Sequence, residues 1–235
     1  MDEFLLRPDP DDPRLTQAVR GIDQEARPVE TAVVHERPLT LFLNGQEIVT
    51  MMTIGDHPDY LAVGYLLNQN MLRADDEVTA IEHDEELEVV VVRTRRPTDY
   101  EDKLKKKVRT SGCAQGTVFG DLMERFDNTS PSLYLKAGAI HGCVLCEADR
   151  PLLYMEDVGR HNAVDKIAGY MFLNGISPVG KIFYTTGRLT SEMVLKTVQM
   201  QIPILISRSG FTAWGVELAR QANLTLIGRA KGKRF

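Results

Sequence analysis

Cys113 is the residue whose sequence context best fits sulfur chemistry. It lies between Gly112 and Ala114 in a loop of small and polar residues, after a basic stretch that ends at Arg109. Nearby cations favour the thiolate, which is the reactive form of cysteine. Such a thiolate could attack the persulfide sulfur of a donor and then carry that sulfur itself. An inert buried cysteine is the alternative, but the flanking residues do not form a core pattern, so the sequence favours a reactive thiol.

The other two cysteines, Cys143 and Cys146, form a Cys-x-x-Cys pair that could suggest metal or redox chemistry. Their segment has the composition of a strand, in which residues three apart point to opposite faces. We therefore predict structural roles for both and no metal site. Three cysteines also leave at least one free thiol, and a reducing compartment disfavours structural disulfides.

Three further segments combine arginine with glycine or small residues directly after a predicted strand. Glycine allows close approach of the backbone, and arginine binds anions through two parallel hydrogen bonds. The residues are Thr186, Gly187 and Arg188; Ser207, Arg208 and Ser209; and Arg229, Ala230, Lys231, Gly232, Lys233 and Arg234. If they share one sheet edge, they suit a phosphate-bearing ligand such as a nucleotide. Solvated turns, and a solvated basic tail at the C-terminus, are the alternative.

The second half of the chain contains the elements that would position these segments. A hairpin is predicted from strands at 139–146 and 152–156, followed by a helix over 162–173. Strands at 181–185, 202–207 and 224–228 then alternate with helices at 191–200 and 212–222. Strands separated by helices of this length imply parallel neighbours and right-handed crossovers. This half is therefore predicted to be an α/β domain.

The first half is predicted to be rich in β-structure. Strand candidates cover 31–35, 39–43, 47–53 and 87–93, with a hairpin turn at Asn44-Gly45 and one helix that Pro58 opens. We place the domain boundary near residue 130. The expected organisation is a disordered or extended segment over 1–27, a β-rich domain over 28–130 that ends in the Cys113 loop, and an α/β domain over 131–235. The fold class is α+β, with a three-layer C-terminal domain.

Composition excludes several classes of protein. The 235 residues carry a net charge of −5, so the protein as a whole does not suit binding to nucleic acid or to an anionic membrane. No apolar run approaches the roughly 20 residues that span a bilayer. The acidic, proline-rich start lacks the features of a secretory signal, and we expect disorder in the first 20 or so residues. The sequence predicts a cytoplasmic protein.

Residues 156–166, EDVGRHNAVDK, resemble the most distinctive motif of the FdhD family, the formate dehydrogenase accessory sulfurtransferases. Other segments resemble the family in the same order, from about residue 30 to the end. They are residues 36–40 with Asn44-Gly45, residues 61–67, residues 186–188 with 191–194, and residues 202–209.

The resemblance implies a role in molybdenum cofactor biosynthesis. Family members carry sulfur from a cysteine desulfurase to the bis-molybdopterin guanine dinucleotide of formate dehydrogenase. They are sulfurtransferases that act as carriers rather than as multiple-turnover enzymes, are expected to form homodimers, and bind the cofactor as cargo without one of their own. The family's persulfide cysteine corresponds to Cys113, its cofactor-binding segment to residues 229–234, and its C-terminal fold is similar to that of cytidine deaminases. Many members have a second cysteine where this chain has Gly116. This difference excludes a disulfide between those two positions and argues against a two-thiol mechanism, whereas one-thiol persulfide transfer remains possible.

Three other functions compete with sulfur transfer. The protein could be a chaperone that binds the molybdenum cofactor without moving sulfur, or a nucleotide-binding regulator. A zinc deaminase would need His-x-Glu and Pro-Cys-x-x-Cys, which the residues after His161 and those at 187–190 do not provide. The polar neighbours of His161 favour a role in lining the site together with Arg160, which Asp157 and Glu156 could orient.

Overall fold

The structure, a computed structural model, describes residues 4–96, 132–148 and 150–230. In the first range lie β1 Thr16–Ile22, β2 Pro28–Val34, β3 Arg37–Leu43, β4 Gln46–Thr53, α1 Pro58–Asn68, β5 Val78–Asp84 and β6 Val89–Thr94. The later ranges contain α2 Leu133–Ala137, β7 His141–Glu147, β8 Arg150–Asp157, α3 Arg160–Leu173, β9 Lys181–Thr185, α4 Ser191–Gln199, β10 Ile204–Ser207, α5 Ala213–Gln221 and β11 Thr225–Ile227. Cys113 and residues 231–234 lie outside the described residues.

The N-terminal half forms a four-stranded sheet with the order β4-β3-β6-β5. Alternate residues of β3 are buried, as the two-residue period of a strand with one covered face requires. Leu41 and Leu43 of β3, together with Val90 of β6, pack against Leu61 and Leu66 of α1 in one apolar cluster. This cluster is the core of the N-terminal half.

The C-terminal half forms a five-stranded sheet with the order β11-β10-β9-β7-β8. β9, β10 and β11 are parallel, whereas β7 is antiparallel to both β8 and β9. β8 therefore runs in the same direction as β9, β10 and β11. This mixed sheet confirms the predicted α/β character of the half.

The helices α3, α4 and α5 all contribute to one apolar cluster on a single face of this sheet. Each connection from β8 to β11 steps in the same direction across the sheet, and right-handed crossovers then place every helix on the same side. A layer of helices on the other face, which a three-layer domain would need, is absent from the described residues. The likeness to cytidine deaminases stays a prediction.

Helices α1 and α3 join the two halves at a close crossing. A Cβ atom on Gly64 would lie 1.7 Å from the carbonyl oxygen of Asp165, and one on Gly169 would lie 1.9 Å from that of Tyr60. These separations are far below any van der Waals contact, so each helix places a glycine where the backbone of the other helix passes. The two halves are therefore in direct backbone-to-backbone contact.

The described part of the N-terminal segment is ordered, so the expectation of disorder there is wrong. β1 pairs with β2 over its whole length, so this hairpin also crosses the predicted boundary between residues 27 and 28. Leu15 is only 3% exposed, and the amide of Leu5 donates to the carbonyl oxygen of Leu152 in β8. β8 is an edge strand, so one side of it has backbone N–H and C=O groups that need hydrogen-bond partners. The acidic N-terminal segment binds there, although its composition does not indicate such a partner. The boundary near residue 130 lies outside the described residues and stays a prediction.

Within the described ranges, no helix combines the length and the apolar character that crossing a bilayer requires.

Candidate anion-binding site

Four loops meet at one edge of the C-terminal sheet. Because β8, β9, β10 and β11 run in the same direction, their carboxyl ends lie together. Three of the loops, after β9, β10 and β11, are those that the sequence predicts to share an edge. The fourth, after β8, adds Arg160 and His161 at the start of α3. The strand arrangement thus brings together the predicted residues from Arg160 to Ala230 that the structure describes.

Hydrogen bonds join these loops into one surface. The Ser207 hydroxyl donates to the carbonyl oxygen of Gly187 at 2.7 Å and accepts from the amide of Ser209 at 2.9 Å. The amide of Arg229 donates to the carbonyl oxygen of Ser209 at 2.8 Å. The loops after β9, β10 and β11 are therefore bonded directly to one another.

Within the described residues, this edge carries four arginines, of which two are buried and two are exposed. Arg160 and Arg208 are buried at 7% and 8% exposure, whereas Arg188 and Arg229 are exposed. The Nε–H group of Arg160 is buried and has no hydrogen-bond acceptor among the described residues. Burying a charged donor without an acceptor is costly. An anion bound at this edge would supply the missing acceptor, and the geometry therefore suits phosphate groups.

His161 is a neutral member of this edge. Burial lowers its pKa to about 3, and the neighbouring charges of Lys196 and Arg160 act in the same direction. Its Nε2 atom lies 3.1 Å from a carboxylate oxygen of Glu192, to which the neutral ring can donate. His161 therefore contributes a hydrogen-bonding ring rather than a positive charge, and a ligand-lining role for it stays a prediction.

The suggestion that Asp157 and Glu156 orient Arg160 is wrong. Asp157 accepts hydrogen bonds from Thr53 at 2.5 Å, Lys166 at 2.6 Å, Asn162 at 2.9 Å and the amide of Gly159 at 3.0 Å. Four donors saturate both oxygens, so this carboxylate has no capacity left for Arg160.

The carboxylate of Glu156 is likewise hydrogen-bonded to groups other than Arg160. Its carboxylate accepts from the Tyr154 hydroxyl at 2.6 Å and from the amides of Leu133 and Tyr134 at the start of α2. Burial raises the pKa of Glu156 against the opposing effect of these donors. Glu156 therefore anchors α2 to the sheet.

Buried ion pairs, which the sequence did not predict, fix α3 within the C-terminal half, and one of them, between Lys166 and Asp56, ties it to the N-terminal half. Lys166 is fully buried and contacts both Asp157 and Asp56, the residue two before α1. Asp165 accepts two hydrogen bonds from Lys196 and a third, at 2.7 Å, from the side chain of Asn68 in α1. The motif at 156–166 thus serves mainly to position the start of α3, where Arg160 lies.

Cys143 and Cys146 lie on opposite faces of β7, as the strand assignment predicts. Cys143 packs in the cluster beneath α3 to α5, and Cys146 packs in the cluster on the other face. Burial raises the pKa of each thiol to about 12. The neutral thiol, which is the unreactive form, is therefore strongly favoured at both positions.

These two thiols are expected to be inert in the folded protein. In a Cys113→Ala variant, a chromogenic disulfide reagent at pH 8 should release almost no colour until denaturant is added, and then two equivalents. The wild-type chain should show one additional thiol that reacts before unfolding. Rapid reaction of the folded variant would contradict the burial argument.

The fold and the site together define a class: an α/β protein with an arginine-rich sheet edge, tied to a second β-rich half. The chain matches the FdhD/NarQ family over residues 34–130 and 118–235, and it belongs to that family. It is 31% identical to the sulfur carrier protein FdhD of Bacillus subtilis (strain 168), over 90% of this chain and 89% of that one. The sulfur carrier protein FdhD of Wolinella succinogenes is 28% identical, with 88% and 80% covered.

A solved structure shows the same fold. The crystal structure of a formate dehydrogenase accessory protein from Desulfotalea psychrophila superposes with a TM-score of 0.73 at 28% identity. The match covers 92% of this chain and 93% of that one. The fold of both halves is therefore shared with that protein.

Proposed function

We propose that this protein carries sulfur for formate dehydrogenase. It receives sulfur from a cysteine desulfurase on Cys113 and delivers it to the bis-molybdopterin guanine dinucleotide cofactor of that enzyme, acting in the cytoplasm as a homodimer. Membership of a family whose curated members are named sulfur carriers supports the sulfur role. The observation that carries the cofactor role is the arginine-rich edge, where the buried Nε–H of Arg160 has no acceptor among the described residues.

The sulfur transfer needs a single thiol. The Cys113 thiolate attacks the outer sulfur of a persulfide on the desulfurase, the sulfur–sulfur bond of the donor breaks, and the desulfurase cysteine leaves as a thiolate. Cys113 then holds the transferred sulfur as a persulfide, so no oxidant or second thiol is required. This agrees with Gly116 at the position where many relatives have a second cysteine. Each molecule carries one sulfur and must be reloaded, which is the behaviour of a carrier.

The binding of the cofactor would depend on the four-loop edge. A guanine dinucleotide contributes pyrophosphate groups, and arginine guanidinium groups bind such oxygens through two parallel hydrogen bonds. The N-termini of α3, α4 and α5 follow the loops after β8, β9 and β10, and helix N-termini favour anions. The family resemblance also assigns cofactor binding to residues 231–234, of which Lys231, Lys233 and Arg234 are basic.

Intact-protein mass spectrometry tests the persulfide. After incubation with a cysteine desulfurase and cysteine, the protein is expected to gain the mass of one sulfur atom, which a reductant removes. The Cys113→Ala variant should gain none, because its remaining thiols, Cys143 and Cys146, are buried. An equal adduct on the variant would exclude Cys113 as the carrier.

A cofactor-binding chaperone is the second candidate, favoured by the fact that the described part of the arginine edge consists of groups that bind anions rather than groups that transfer sulfur. A strain that lacks its own accessory protein separates the two functions. The Cys113→Ala variant should leave formate dehydrogenase inactive if the protein transfers sulfur, and should restore activity if it only binds the cofactor.

A further inference from the structure

Phe211 lies in the middle of the anion-binding edge. On one side, Leu189 donates its amide to the carbonyl oxygen of Gly210 at 3.0 Å and accepts from the amide of Thr212 at 3.1 Å, so its segment pairs with that of Phe211. On the other side lies Gly228, the residue before Arg229. Phe211 is thus bracketed by the loops that carry Arg188 and Arg229.

The ring of Phe211 rests on the backbone of Gly228. A Cβ atom at Gly228 would lie 2.3 Å from Cδ1 and 2.5 Å from Cε1 of the ring, so only glycine leaves room for this contact. The side chain of Phe211 is nevertheless 49% exposed. One part of the ring is therefore held against the protein while another part faces solvent at the anion site.

A positive charge accompanies the ring. The Nε atom of Arg229 lies 3.9 Å from the position that a Cβ on Gly210 would occupy, beside the backbone of Phe211. Arg229 also adopts a left-handed backbone conformation, with φ of 56°, which is uncommon for a residue with a side chain. An aromatic ring beside an arginine can stack on a flat base and can attract a negative charge. A nucleotide has both a flat base and negatively charged phosphate groups.

We propose that Phe211 is the stacking platform for the guanine ring of the ligand whose phosphate groups the arginine loops bind. This inference rests on the proposed cofactor-binding function and names the residue that recognises its aromatic part. Stacking of a base on an aromatic side chain contributes about 1–3 kcal/mol, which corresponds to an affinity change of about 5- to 150-fold.

Calorimetric titration of the full-length protein with GDP and with pyrophosphate tests the platform. The Phe211→Leu variant is expected to bind GDP at least about fivefold more weakly while its affinity for pyrophosphate stays unchanged. The Phe211→Trp variant, which keeps an aromatic face, should bind GDP nearly as well as the wild type. This pattern would separate stacking from a general loss of loop structure.

Three results would overturn the proposal. Unchanged GDP affinity in Phe211→Leu would show that the ring does not contact the base, and would fit an apolar contact with a protein partner instead. Equal losses for GDP and pyrophosphate would assign Phe211 a purely structural role. If the wild-type protein bound neither compound, the anion site itself would be wrong, and the platform would fail together with the proposed cofactor role.

Discussion

Replacing Gly169 by alanine is expected to destabilise the protein by about 4 kcal/mol or more, an exceptionally large effect for one methyl group. The new Cβ would lie 1.9 Å from the carbonyl oxygen of Tyr60, and a backbone atom cannot turn aside as a side chain can. Helices α1 and α3 would have to separate, and the packing between the halves would be lost. Since domains are stable by only about 5–15 kcal/mol, a loss of this size would increase the unfolded fraction strongly.

Two opposite effects on stability are predicted for Gly169→Ala, so the measured sign of the change decides between them. Alanine is favoured over glycine inside a helix by about 1 kcal/mol, so helix propensity alone predicts that Gly169→Ala stabilises the protein. Urea unfolding followed by circular dichroism measures the free energy of unfolding directly. Gly45→Ala is the matched control, because a Cβ there would meet nothing within 4 Å. A stable Gly169→Ala variant would contradict the close crossing of the two helices.

Replacing Asp157 by asparagine is expected to cost about 3–5 kcal/mol, the usual effect of breaking a buried ion pair. Every partner of this carboxylate is a donor, so the amide group of asparagine must point its own N–H atoms at Thr53 and Lys166 or at Asn162 and Gly159. Burial opposes the charge on Lys166, but Asp157 and Asp56 outweigh it and raise the pKa of Lys166. The variant would leave this fully buried lysine with Asp56 as its carboxylate partner and with the carbonyl oxygen of Glu156.

Two comparisons separate this effect from a general loss of surface charge. Glu82→Gln removes the carboxylate of an exposed pair with Arg93 and should leave the unfolding midpoint within error of the wild type. Adding Lys166→Met to Asp157→Asn should recover part of the lost stability, because the unpaired buried charge is then gone. If Asp157→Asn unfolds at the same urea concentration as Glu82→Gln, the buried pair does not contribute as described.

The sequence predicted the elements that have strong local patterns. The helix at 162–173 and the strands around 181–185, 204–207 and 225–227 were recovered within a few residues, because their apolar periodicity reflects a buried face. Strand direction then placed the loops after these strands at one edge. β5 was missed because this edge strand, Val78–Asp84, is largely exposed and carries little apolar pattern. β1 was missed for the same reason, since six of its seven residues are exposed.

The polar residues of the 156–166 motif show where prediction from sequence stops. The polar neighbours of His161 suggested that the motif lines a ligand site, yet Asp157 binds Thr53 and Asp165 binds Asn68, partners 104 and 97 residues away. No local pattern distinguishes a carboxylate that awaits a ligand from one that pairs with a distant segment. Among the described residues, the Nε–H group of Arg160 and the Nδ1 atom of His161 are the buried polar side-chain atoms of the motif without a hydrogen-bond partner.

The glycine crossing also limits how relatives of this protein can exchange parts. Residues 60–64 of α1 and 165–169 of α3 fit each other at the level of the backbone, and Asn68 adds a side-chain match to Asp165. A chimera that takes its first half from one family member and its second from another must therefore inherit both helices from a compatible pair. A substitution on one helix at these positions would need a compensating substitution on the other helix. We therefore expect the contacting positions of α1 and α3 to change together.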